Sequence, residues 1–324
     1  MRPKDVVYQI RGPIMPTIPD LPHNAATPSE TPKAPSNLKG LALMALGFFL
    51  FAAVDTMAKF LTDLFHPVQI VWTRQLGLLF GVLVLLLWRG PVILRTARPK
   101  LQALRGAIAV ISATCFILGV SFVPLADAVA VTFVAPLIVT VLGAVILRET
   151  VGWHRWAAIS IGFIGTLIVI RPGLGIVHPA VLLVLFAASL FALRQVLSRM
   201  IAPYDNTYTT VAYTALVGSA LISLPLPFVW IWPSDPVSIV LMIAIAAIAG
   251  VAELMVIRAL EIAEAVVLAP VHYSMILWSV MYGYLVFAQL PDGWTLIGTA
   301  VIVATGLYTM HRERLAARSR RAAT

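Results

Sequence analysis

The sequence predicts an all-α integral membrane protein, with ten transmembrane helices arranged as two inverted five-helix units. Three observations carry that expectation. The first is composition: of 324 residues, 60% are hydrophobic and 11% charged, against about 25% charged in an ordinary soluble domain. The apolar residues gather in blocks of about 18 to 23, the length that spans a hydrocarbon core of ~30 Å at 1.5 Å per residue. Strand-type alternation is missing, so helices must satisfy the backbone in lipid. The second is the placement of basic residues, and the third is an echo between the two halves of the chain.

Taken in order, residues 1–37 come first. Eight prolines interrupt this polar stretch, from Pro3 to Pro35, so it cannot bury enough apolar surface to offset chain entropy. A disordered Pro-rich cytoplasmic tail is expected. No apolar stretch follows Arg2 and Lys4, which argues against a secretory signal. Spans are then expected at about 38–60, 68–88, 103–122, 125–147, 156–171, 178–199, 208–230, 237–259, 264–287 and 294–311. Short linkers join them, several with turn chemistry: His66–Pro67, "WPSDP" at 232–236 and "PDG" at 291–293. A basic cytoplasmic tail, 312–324, ends the chain. The single cysteine, Cys115, lies inside an apolar block and is read as a packing residue, with no disulfide and no metal site to make.

Lysine and arginine alternate between linkers. Five lie in the first tail, five in the linker after the second span, two after the fourth, one each after the sixth and eighth, and five at the carboxyl end. The opposite linkers hold Arg171 alone. This asymmetry places both termini in the cytoplasm. It also explains the net charge of +9 without nucleic acid as a partner. A lipid bilayer of the inner-membrane type is the implied surrounding.

The halves echo one another. "LFAAVDTMAKFL" (50–61) aligns with "LFALRQVLSRMI" (190–201), "LADAVAV" (125–131) with "IAEAVVL" (262–268), and "GW" at 152–153 with "GW" at 293–294. With five spans in each unit, the second copy enters the membrane upside down, an architecture that sets a substrate site near the midplane.

The segment from Leu125 to Gly173 resembles the end of a first EamA domain of the drug/metabolite transporter superfamily, through Ala126, Asp127, Ala128, Pro136, Glu149, Gly162, Gly165 and Pro172. A second copy, 257–308, is similar through Ala263, Ala265, Pro270, Tyr273, Pro291, Gly298 and Gly306, with Gln289 where the family often keeps a glutamate. The resemblance covers 38–311, giving a first repeat at 38–173 and a second at 174–311. It implies transport of a small solute through a cavity lined by the first four helices of each unit, helices five and ten being peripheral. It permits monomer or homodimer and leaves the cargo open.

Charges inside the apolar blocks are the informative residues. A charge at the centre of a bilayer costs at least ~2.5 kcal/mol and is kept where it has water, a partner or a task. Counting residues from span ends puts Asp55 and Arg74 at matching depth, and Arg194 and Glu253 at matching depth on the other side of the midplane. Two ion-pair clusters are expected, serving gating, substrate binding and proton coupling, or simply holding helices together. Lys59, one turn above Asp55, is expected to reach water. Pro136 and Pro270 each remove a helical hydrogen bond near the midplane. His272 is a candidate proton carrier or a packed histidine. Tyr273 and Trp278 are candidates to line the cavity, ahead of Trp72 and Tyr213. The pair Gly162 and Gly165 reads as a close-packing site.

These features favour a secondary active transporter of a small organic metabolite, amino-acid-like or otherwise polar or amphiphilic, working by alternating access. No Walker sequence is present, so ATP is not the direct energy source, and no cofactor is implied. A membrane-embedded enzyme and a scaffold are the alternatives. Against the enzyme stands the lack of H-E-x-x-H, G-x-S-x-G or paired-aspartate motifs, so no catalytic residue is assigned.

Overall fold

A computed structural model describes residues 37–148, 152–170, 178–263 and 268–322; the expected tail thus lies outside the described residues, apart from Asn37. Among the described residues every regular element is helical. They are α1 (Asn37–Leu61), α2 (Pro67–Arg89), α3 (Pro99–Val120), α4 (Leu125–Thr132), α5 (Ala135–Ile146), α6 (Trp153–Ile170), α7 (Val181–Ile201), α8 (Thr207–Ser223), α9 (Leu226–Val229), α10 (Pro236–Ile262), α11 (Ser274–Phe287) and α12 (Gly293–Ala322). Short 3-10 turns occupy Pro91–Leu94 and Ala269–Tyr273. Six helical stretches are long and apolar enough to cross a membrane, with α4 and α5 counting as one. Shorter apolar helices run over Trp156–Ile170, Val271–Phe287 and Gly293–Thr309.

The turn chemistry read from the sequence starts the helices. His66 caps α2, its Nδ1 accepting from the Val68 amide at 3.3 Å ahead of Pro67. Asn206 accepts from Thr209 N at 2.9 Å to cap α8, Asp235 from Ser238 N at 2.7 Å to cap α10, and Asp292 from Thr295 N at 2.7 Å to cap α12. Each cap satisfies one of the orphan amides of a first turn.

Several boundaries differ from expectation, three of them for a plain local reason. The span expected at 208–230 is a helix only to Ser223, because Pro225 and Pro227 withhold amide donors and leave the short turn α9. The span expected at 125–147 breaks at Phe133–Val134, where Pro136 cannot donate back to the Thr132 carbonyl. The last helix passes the expected end at 311 and continues to Ala322, through a segment rich in alanine, arginine and leucine with neither glycine nor proline to stop it.

Packing follows a regular plan. Helix α1 lies along α10, and α7 along α3; α2 crosses α10, and α8 crosses α3. Likewise α1 leans on α11, and α7 on the α4–α5 pair, while α2 meets α8, α4 meets α11, and α6 lies along α12. Small residues permit the closest crossings. A Cβ on Gly77 would stand 1.7 Å from the Ala246 carbonyl of α10, and one on Gly298 would stand 2.6 Å from the Gly165 carbonyl of α6. Gly162 lets the Leu137 side chain of α5 lie against α6. Large apolar side chains cover the outside, with Leu87, Trp88 and Phe228 more than four-fifths exposed, as a hydrocarbon-facing surface requires.

Gly77 and Gly81 sit one turn apart on α2, but a Cβ at Gly81 meets nothing within 4 Å. Gly77→Ala is therefore expected to destabilise the purified protein by ~1–3 kcal/mol through forced helix separation, whereas Gly81→Ala is neutral or stabilising by up to ~1 kcal/mol. Thermal unfolding of the two variants in one detergent checks this; equal midpoints would contradict the crossing.

Candidate functional site

A cavity of about 220 Å³ opens between the helices, joined to a chamber of about 110 Å³ through shared walls at Arg74, Ala109, Ala113 and Arg194. On α3 the lining residues are Ala109, Ser112, Ala113 and Phe116, the spacing of one helical face. Across from them α7 presents Ala187, Ala188, Phe191 and Arg194. Alanine repeated on both faces holds the helices near yet leaves volume between them. The interrupted helices supply the rest: Val129, Thr132 and Ala135 lie about the break between α4 and α5, His272 lies in the 3-10 turn before α11, and Met275 lies in the first turn of α11. The chamber adds Gln75 of α2, Thr214 of α8 and Glu253 of α10. Neither α6 nor α12 contributes a lining residue.

Asp55 and Arg74 meet. Arg74 Nη1 donates to Asp55 Oδ1 at 3.3 Å, an ion pair that joins α2 to α1. The carboxylate is almost wholly buried while the guanidinium keeps about a quarter of its surface. Arg74 also lies 5.5 Å over the Phe51 ring, and Arg194 lies 4.7 Å over Phe191. Phe51 and Phe191 occupy matching places in the two aligned segments, so each half sets an arginine against the same phenylalanine.

Arg194 and Glu253 share the chamber wall without forming the expected ion pair. The charges acting on Arg194 are Glu253, attractive, and Arg74, repulsive, so it belongs to one cluster with the Asp55 pair rather than to a separate one. Sequence reasoning missed a fifth member. Arg105, counted there as a linker charge, lies two turns inside α3, where Nε donates to Ser198 Oγ at 2.7 Å and Nη1 to Thr214 Oγ1 at 2.5 Å. Its start four residues earlier, at Pro99, was the available signal.

The remaining candidates separate. His272 lines the cavity with its ring edge-on to Phe48 at 4.9 Å and Phe133 at 6.1 Å. Tyr273 and Trp278 stand off the cavity wall: the Tyr273 hydroxyl lies where a side chain on Gly306 of α12 would be, and Trp278 packs edge-on against Phe49 at 5.3 Å. Pro136 is exposed on the outside of its helix and acts through the break it causes. Pro270 sits in the 3-10 turn. Trp72 and Tyr213 also lie outside the cavity; Trp72 donates to Ser223 Oγ at 3.0 Å and Tyr213 to the Leu94 carbonyl at 3.3 Å. Lys59 does not simply reach for water: its ammonium donates to the carbonyls of Val120, at 3.0 Å, and Val123. It thereby closes the carboxyl end of α3, where the orphan carbonyls favour a cation. Among the described residues no cluster of histidine, cysteine and carboxylates could hold a metal ion.

Two fastenings sit at opposite ends of the bundle. At the end where α1 gives way to α2, Gln69 grips Ile231, donating to its carbonyl at 2.8 Å and accepting from its amide at 3.0 Å. At the end where α2 gives way to α3, Asp205 accepts from Thr96 Oγ1, from Ala97 N at 3.3 Å and from Gln102 Nε2 at 2.8 Å. Partial desolvation raises the Asp205 pKa, but the three hydrogen bonds outweigh it and hold the carboxyl below its ordinary range.

Comparisons with known proteins bear on this arrangement. Residues 38–171 match the model of the EamA-like transporter family. An S-adenosylmethionine uptake transporter of Rickettsia prowazekii is 26% identical over 278 residues, 86% of this chain and 94% of its own. A riboflavin transporter of Vibrio cholerae is 28% identical over 70% of this chain and 77% of its own, and a pseudopaline exporter of Pseudomonas aeruginosa 24% identical over 82% and 93%. A solved crystal structure superposes with a TM-score of 0.59 over 86% of this chain and 98% of its own, at 18% identity, a likeness of fold alone.

Removing one partner of a buried ion pair leaves the other uncompensated, at ~3–5 kcal/mol. Asp55→Asn and Arg74→Gln are each expected to lower the unfolding midpoint in detergent, and the exchange of Asp55→Arg with Arg74→Asp to recover part of the loss. An exchange no better than the worse single variant would refute the pairing.

Proposed function

We propose that this chain, whose residues 38–171 match the EamA-like transporter family of the drug/metabolite transporter superfamily, is a secondary active carrier of a small zwitterionic, amino-acid-like metabolite. The observation that carries this reading is the charged cavity itself. Five ionised side chains, Asp55, Arg74, Arg105, Arg194 and Glu253, converge between apolar helices, beside alanine walls that leave space for a solute. Relatives named for metabolite transport support carriage over catalysis. Among their cargoes, S-adenosylmethionine carries an amino-acid end with an amine and a carboxylate, which suits walls bearing both signs of charge.

In this reading the chain is two inverted five-helix repeats, 38–173 and 174–311, in an inner membrane with both termini cytoplasmic. The packing plan supports it. Exchanging each helix of the first half for its counterpart in the second turns the α1–α10 contact into α7–α3, α2–α10 into α8–α3, and α1–α11 into α7 with α4–α5, while α2–α8, α4–α11 and α6–α12 map onto themselves. The two fastenings exchange as well. The start of α2 grips the linker after α8 through Gln69, and the start of α8 grips the linker after α2 through Asp205 and Tyr213. Alternating access then consists of releasing one while the other holds. By the lysine and arginine count the Asp205 fastening is cytoplasmic and the Gln69 fastening external. A proton is the coupling ion in this scheme, with Asp55 and His272 as the titratable groups on the main cavity wall.

Counterflow of radiolabelled S-adenosylmethionine in proteoliposomes tests the carrier. Saturable, gradient-dependent exchange is expected; turnover of solute by the detergent-purified protein without a gradient would favour an enzyme instead. The fastenings are tested with Ala113→Cys in a Cys115→Ser background. Three hydrogen bonds at ~1 kcal/mol each bias the inner face by at most roughly a hundredfold. Asp205→Ala is therefore expected to speed labelling by an impermeant maleimide from the cytoplasmic face and slow it from outside, and Gln69→Ala to do the reverse. Because the Asp205 carboxyl is held below its usual range, the inner fastening should persist at any pH above ~4 and weaken only as pH falls through the depressed value. Equal labelling from both faces in both variants would dismiss the gates.

A further inference from the structure

Arg194 stands in the cavity wall with its charge unmet. The other two arginines of the cluster each have a polar partner: Arg74 holds Asp55, and Arg105 donates to Ser198 and Thr214. Arg194 has the Phe191 ring beneath it, and its Nε is buried without an acceptor. Glu253 attracts it from the same wall but forms no ion pair with it among the described residues, and Arg74 repels it. A guanidinium cannot shed its proton to escape such a place. Burial of an unpaired charge is tolerated where a ligand supplies the counter-charge.

We infer that Arg194 is the receptor for the carboxylate of the transported solute, which binds its guanidinium in the planar, two-bonded manner and lies on the Arg74 side, offsetting the repulsion between the two arginines. The formal count favours a carboxylate over a phosphate. On the walls Arg74 and Arg194 stand against Asp55 and Glu253, a formally neutral lining, so a zwitterion adds no net charge there whereas a phosphate monoester would bring nearly two negative charges. The alanine faces of α3 and α7, with Phe116 and Met275, then take the apolar part of the solute. This assignment rests on the carrier reading for its ligand, although the receptor can be tested without any flux.

The experiment uses the full chain in detergent and two probes that differ by one carboxylate, S-adenosylmethionine and its decarboxylated form. Phenylglyoxal adducts are mapped by peptide mass spectrometry. Arg194 is expected to react in the free protein and to be protected by S-adenosylmethionine at least about tenfold better than by the decarboxylated probe, the worth of a charge-assisted pair. In Arg194→Gln the two probes should bind within about twofold of each other, with Arg194→Lys between that variant and the native chain. Equal protection by both probes, protection by neither, or stronger protection by inorganic phosphate would overturn the assignment. Selective protection without flux of labelled S-adenosylmethionine into proteoliposomes would keep the receptor and overturn the carrier reading.

Discussion

The structure depends on the cost of placing charge inside hydrocarbon. Asp55, Arg74, Arg105, Arg194 and Glu253 all belong to helices that are otherwise apolar. Each would be expelled from a lipid-facing position at several kcal/mol. Their convergence on one interior space is the arrangement that lowers this cost for all of them together, since pairs and hydroxyl donors can be shared there. The alanines at 109, 113, 135, 187 and 188 follow from the same constraint. Bulkier side chains would fill the space and strand the charges without water, while glycine would weaken the helices that carry them.

The breaks at Pro136 and Pro270 serve that space too. A continuous helix turns its polar backbone groups inward on itself, so its wall offers side chains alone. The break at Pro136 leaves the Thr132 carbonyl without its helical donor on a stretch that lines the cavity, and the 3-10 turn that holds Pro270 sets His272 on the same wall. Pro136 is thus a residue whose own side chain is exposed while its effect lies within.

The six long apolar helices among the described residues and the Asp55–Arg74 contact were legible because length, hydropathy and depth are one-dimensional quantities that count directly along a chain. What depth cannot supply is azimuth. Arg194 and Glu253 sit at matching depth yet do not join, and Tyr273 and Trp278 turn toward α12 and Phe49 instead of the cavity. Arg105 fell inside the span expected at 103–122 but was counted with the linker charges; the helix starts at Pro99, a proline at the first helical position, which sets Arg105 nearly two turns deep. Lys59 shows a different limit. Its partners are backbone carbonyls sixty residues away, at a helix end brought near by packing, and backbone groups leave no mark in composition or period. Pro225 and Pro227, in contrast, were in plain view, and the hydropathy of their neighbours masked them.

The two ends of the bundle differ in what they fasten with, and the difference has a physical consequence. The Gln69 grip is neutral, made of an amide matched to the backbone of Ile231, so its strength is indifferent to salt and changes little with pH. The Asp205 grip is built on a carboxylate, and arginines crowd the same region: Arg89 lies 4.4 Å over Tyr208 and Arg98 4.2 Å over Tyr204. Exposed charge of that kind is screened by ions within a Debye length of ~8 Å at physiological strength. The two ends thus carry one fastening that ignores its solution and one that responds to it. With the second facing the cytoplasm, as proposed above from the basic residues around it, the inner side of the cavity is held by the contact most open to adjustment by the ionic state of the cell.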